Sequence, residues 1–108
     1  MNNESLALEW LSRYLGRAIT IDEVGYESNV FDYEELDEML MPEKDFAIFR
    51  SYEQLLTLVY IYDTILVYII QSIEQETSKL KLIGLMDGYS LIRSQLIKGD
   101  EKPCSTSY

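Results

Sequence analysis

At 108 residues, with 47% apolar side chains and a net charge of −10, the chain is long enough for one domain with its own core and too apolar for disorder to be expected. It contains no histidine and a single cysteine, which excludes His-based triads, His metal sites, the usual neutral-pH general base and any intrachain disulfide. The charge is gathered: ten of the nineteen acids lie between Ile21 and Asp45, where Lys44 is the one base, and the other eighty-three residues carry nine acids and eight bases.

In chain order, Ser5 to Leu15 places Leu8, Leu11 and Leu15 with Ala7, Trp10 and Tyr14 at helical spacing, and Gly16 stands where a left-handed C-cap would close the helix. The period is lost from Arg17 to Phe31, where Gly25, Ser28 and Asn29 read as a connector. Thr20 to Glu23 is a possible capping box for one turn. Asp32 as N-cap with Glu35 at N3 opens a short helix through Leu40 that Pro42 ends.

The stretch from Lys44 to Glu76 pulls two ways. Thr57, Val59, Ile61, Thr64, Ile65, Val67, Ile69 and Ile70 with four tyrosines favour strands on propensity. Projected at 100° per residue, Glu53, Thr57, Tyr60, Thr64, Tyr68, Gln71 and Gln75 fall on one stripe. Tyr52, Leu55, Val59, Tyr62, Leu66, Ile69 and Ile73 fall on the opposite one, which predicts one long helix. The alternative is a hairpin turning near Asp63-Thr64, disfavoured because Asp-Thr is a poor two-residue turn. Thr77 to Lys98 also has helical order through Leu82, Leu85, Met86, Tyr89, Ile92 and Leu96.

The predicted fold is therefore all-α: a bundle of about four helices around a long apolar central one, with an α+β fold carrying a hairpin in 57–70 as the alternative. It forms one helical domain over 1–98, with the acidic segment at 21–45 and a disordered polar tail at 99–108. Such a central helix would outrun a compact domain of this size, so either it breaks or a second copy covers its surplus length. The self-association stripe is Leu55, Val59, Tyr62, Leu66, Ile69 and Ile73. The apolar run from Leu55 to Ile70 is about sixteen residues, short of the roughly twenty of a membrane-spanning helix, and has Asp63 at its centre. No membrane association and no secretory signal are expected, and the lone cysteine points to a reducing, cytoplasmic location.

Few groups offer chemistry. Cys104 has no base to activate it. There is no phosphate-binding glycine motif, and Gly84 and Gly88 read as a close contact between helices. Acid pairs such as Glu34 with Glu38, or Asp22 with Glu23, invite a hard cation, but the calcium-loop pattern is absent. No cofactor, no metal and no enzymatic activity are expected. Asp63 and Arg93 each fall within or beside the apolar side of their own predicted helix. If the two helices pack, they would form a structural ion pair or leave a tyrosine-bonded acid in the core, with a buried switch or ligand-binding charge as the functional alternative.

The functional expectation rests on the acids. Asp22, Glu23, Glu27, Asp32, Glu34, Glu35, Asp37 and Glu38, interleaved with Tyr26 and Tyr33, have a density that imitates the phosphate rows of a nucleic acid. The aromatics add desolvated anchors. The expected partner is a basic, nucleic-acid-binding protein, held by competitive occlusion; direct nucleic-acid binding is disfavoured because no basic patch exists. In type, the chain resembles the small acidic inhibitors of viruses and mobile elements and the toxin-immunity proteins. The alternative is a self-associating helical structural protein, a homodimer whose acids serve solubility and have no dedicated partner.

Overall fold

A computed structural model describes residues 2–38, 49, 50, 52, 54–72 and 80–97. One α-helix, α1 (Asn3–Leu15), precedes five strands: β1 (Gly25–Asp32), β2 (Gln54–Tyr62), β3 (Ile65–Ser72), β4 (Lys81–Asp87) and β5 (Ser90–Ile97). Short 3-10 helices at Ile21–Glu23 and Tyr33–Glu38 flank β1. The strands form one antiparallel sheet in the order β1-β2-β3-β4-β5, each paired with its neighbour in sequence. This overturns the all-α bundle. The architecture is α+β, and the hairpin alternative is the one that fits.

The first helix forms as its sequence predicts. Asn2 accepts a hydrogen bond from the Ser5 amide at 2.7 Å, and Gly16, in the left-handed region at φ +76°, donates its amide to the Ser12 carbonyl. Ala7, Trp10 and Leu11 are buried against Leu58, Tyr60, Val67, Ile69, Ile83 and Leu85 of the sheet. Asn3 bridges Gln71 and Lys81 at one end of the helix, and the Tyr14 hydroxyl donates to Asp87 at the other, 2.8 Å away. The opposite sheet face has its own core of Phe49, Leu55, Tyr68, Ile70, Leu82 and Met86.

That second core explains why the central helix is not there. β3 and β4 are buried on both faces, so nearly every position is apolar and the two-residue alternation that would betray a strand is erased. A run that is apolar almost throughout matches a 3.6-residue stripe as readily as any other. Thr57, assigned above to a polar stripe, is fully buried on the second face. The strand propensity of the β-branched residues carried the correct information. The predicted helix over 77–98 is instead the β4–β5 hairpin, and the predicted connector over 17–31 holds all of β1 but its last residue, Asp32. Residues 39–48, 73–79 and 98–108, and with them Pro42, Ile73 and the tail, lie outside the described residues. Among the described residues no helix is long and apolar enough to cross a membrane.

The turn at Asp63-Thr64 closes a hairpin in which Tyr62 pairs with Ile65. Asp63 takes φ +58°, and Gly88 takes φ +65° at the equivalent first position of the Gly88-Tyr89 turn. Aspartate tolerates this region better than most residues but less well than glycine. The pairing of eight β2–β3 rungs decides the register, and the turn yields to it. Asp63→Gly is expected to stabilise the protein by about 0.5 to 1 kcal/mol, and Gly88→Ala to destabilise it by about 1 kcal/mol, in urea unfolding. A loss on Asp63→Gly would show that the aspartate side chain holds the turn.

Asp63 is exposed in this turn, and Arg93 lies on β5 with its guanidinium 4.0 Å above the Trp10 ring. Among the described residues the two form no ion pair, because they belong to a hairpin loop and an edge strand and not to facing helices. The glycines also differ from expectation: Gly84 faces Tyr68 across β3–β4, and Gly88 shapes a turn.

Candidate functional site

The acidic segment folds into the outer edge of the sheet and its two flanks. Between Ile21 and Glu38 the chain has eight acids and no lysine or arginine. Asp22 and Glu23 lie in the first 3-10 helix, Tyr26 and Glu27 in β1, Asp32 at its end, and Tyr33, Glu34, Glu35, Asp37 and Glu38 in the second 3-10 helix. Seven steps of strand separate Gly25 from Asp32, about 23 Å at the usual rise. The predicted site residues are thus spread along one edge and are not gathered in a single cluster. Glu43 and Asp45 lie outside the described residues.

Two of the acids serve the fold. Glu23 accepts from the Thr20 amide at 3.0 Å and from Arg17 at 3.1 Å, closing the predicted capping box. The Thr20 amide first, and then the Arg17 guanidinium, hold the Glu23 carboxyl below the usual carboxylate range. Arg17 also donates to the Tyr62 hydroxyl, which ties this turn to β2 and raises the guanidinium's already high affinity for its proton. Glu35 accepts from the Asp32 amide at 2.7 Å and so caps the second 3-10 helix. The carboxylates of Asp22, Glu27, Asp32 and Glu34 are exposed and, among the described residues, have no hydrogen-bond or ion-pair partner.

The aromatics stand beside them. Tyr26 is 53% exposed and packs its ring 5.0 Å from that of Tyr60, its cross-strand partner on β2. Burial first, then the neighbouring Tyr26, raises the Tyr60 phenol above its ordinary value. Glu4, Ile21, Tyr26 and Tyr60 line a shallow groove of about 360 Å³ between α1 and the β1 edge. At the far end of β1, Asp32, Tyr33, Glu34, Arg50, Tyr52 and Gln54 line an open cleft of about 590 Å³, in which the Arg50 guanidinium lies 5.9 Å from the Tyr33 ring.

The sequence reading missed Ile21, Val30, Tyr60 and Arg50 as part of this surface. An open edge strand is solvated on both sides, so β1 has almost no burial pattern to read. A trace of alternation in Tyr26, Ser28 and Val30 was the available signal. The residues assigned to self-association do not share a surface. Leu55, Val59 and Leu66 pack in the second core, Tyr62 and Ile69 on the helix side, and Leu55 and Ile69 are fully buried. Ile73 is outside the described residues. Among the described residues no three acidic or cysteine side chains are placed to hold a metal ion. In comparisons with protein-family models, curated proteins and solved structures, the chain matches none.

Proposed function

We propose that the protein is a non-catalytic inhibitor or adaptor that binds the basic surface of a nucleic-acid-binding protein through the β1 edge and its acidic flanks. The observation that carries this reading is the combination of an exposed edge strand with eight acids and no base from Ile21 to Glu38. Asp22, Glu27, Asp32 and Glu34 present free carboxylates along it, and Tyr26 supplies apolar area that charge lacks. A groove built for phosphates meets such a row with the same lysines and arginines and is thereby occluded.

The test uses the four carboxylates that the fold does not need. A variant carrying Asp22→Asn, Glu27→Gln, Asp32→Asn and Glu34→Gln retains the Glu23 and Glu35 caps and is expected to stay folded. Immobilised wild type is expected to retain a basic protein from source-cell lysate at low salt, and to release it at high salt or on adding duplex DNA. The variant is expected to retain little of it. A captured protein that ignores both the substitutions and the DNA would remove this reading.

A further inference from the structure

We infer that β1 takes an extended, basic segment of the partner as a sixth strand, joined by backbone pairing and selected by charge. The inference rests on the function proposed above and specifies how the acidic edge is used. All eight residues of β1 pair with β2 on the inner side, and among the described residues no strand pairs with the outer side. Alternate residues of such a strand turn their amide and carbonyl groups outward, where they form a template for another chain.

The two edges of the sheet differ in how they meet this hazard. Edge strands are commonly blunted by bulges, lysines or prolines. β5 has a register shift against β4 at Leu85/Met86 and carries Arg93. β1 has neither lysine, arginine nor proline, and its register with β2 runs unbroken from Gly25 to Asp32. Among the described residues it is a regular, open edge.

Charge decides the occupant. A second copy pairing antiparallel through its own β1 would bring the Asp22 and Glu23 end of each strand against the Asp32, Glu34 and Glu35 end of the other, and like charges across strands repel. A basic segment meets the opposite field. Its side chains would alternate in kind. On the side facing α1 they run beside Tyr26 and Val30, which are 53% and 46% exposed, and beside the groove where Ile21, Tyr26 and Tyr60 suit apolar groups and Glu4 adds one more acid. On the other side they meet Glu27 and Asn29 before Phe31, and the ends of the strand offer Asp22, Glu34 and, on the α1 side, Asp32, which suit lysine or arginine.

The probe is a peptide of eight residues, the length of β1, alternating lysine and valine. Three companions are needed: the same peptide N-methylated on one edge, the same peptide N-methylated on the other, both keeping the charge and one of them blocking pairing, and a version with threonine for lysine. The lysine peptide is expected to bind the full chain, to slow amide hydrogen exchange across β1, and to lose about tenfold in affinity on N-methylation. Equal binding by the methylated forms, with β1 exchange unchanged, would overturn strand addition and leave the acidic-surface reading standing. So would failure of every peptide while the lysate partner is still captured through the four acids. Equal binding by the threonine peptide would show that charge does not select the strand, and would overturn the inference while the lysate capture still decides the acidic-surface reading. Free protein that sediments as a dimer with protected β1 amides, released by the peptide, would make a second copy the occupant and overturn the inference.

Discussion

Phe49→Ala is expected to lower stability by about 3 to 5 kcal/mol, the range for truncating a large aromatic side chain in a packed core. Phe49 is fully buried and packs in the same core as Leu55, Tyr68, Ile70, Leu82 and Met86 of three central strands, with the Tyr52 ring 6.1 Å away. Truncation leaves a cavity that these strands, held in register on both sides, cannot collapse to fill. Against a total stability of about 5 to 15 kcal/mol this is a large fraction. Urea unfolding reads it directly, with Tyr89→Ala, 86% exposed in its turn, as a control expected to change little. A loss under about 1 kcal/mol would mean that Phe49 does not cover the second sheet face.

Gly84→Ala is expected to cost about 1 to 3 kcal/mol through overpacking. The Tyr68 ring lies across the glycine, and a Cβ built there overlaps its Cζ and Oη atoms. Tyr68 is 2% exposed, so its ring has no free space to swing into. The pair makes the expectation sharper than a single loss. Once Tyr68→Ala has removed the ring, Gly84→Ala is expected to become neutral or stabilising by about 0.5 to 1 kcal/mol, since glycine weakens a strand interior. A double-mutant cycle reads this change of sign. Additive effects would refute the steric account.

These residues also show what the sequence could and could not reveal. The α1 helix was legible because it has one apolar face and Gly16 as a chemical stop at its C-terminal end, whereas its Asn2 cap, ahead of the expected start at Ser5, was not read. The two capping motifs were legible because each is a local contact three residues apart. The sheet was not. Periodicity reports burial on one side, and a strand covered on both sides has none to report. Leu55 to Ile70 therefore supported a helix by geometry and a hairpin by propensity, and the second was right. The acids could be located but not arranged. Their layout depends on β1 pairing with β2 more than twenty residues later, and only the described structure distinguishes Glu23 and Glu35, which hold turns, from Asp22, Glu27, Asp32 and Glu34, which face water.

A sheet in which every strand lies beside its sequence neighbour has a consequence for the order of assembly. The β2–β3 and β4–β5 hairpins close two-residue turns and need nothing distant to begin. The helix is different: synthesised first, it packs chiefly on β3, about fifty residues downstream. While the chain leaves the ribosome, Trp10 and Leu11 have no sheet to cover them until β2, β3 and β4 have emerged. The element easiest to recognise in the sequence is thus the one that waits longest for its place.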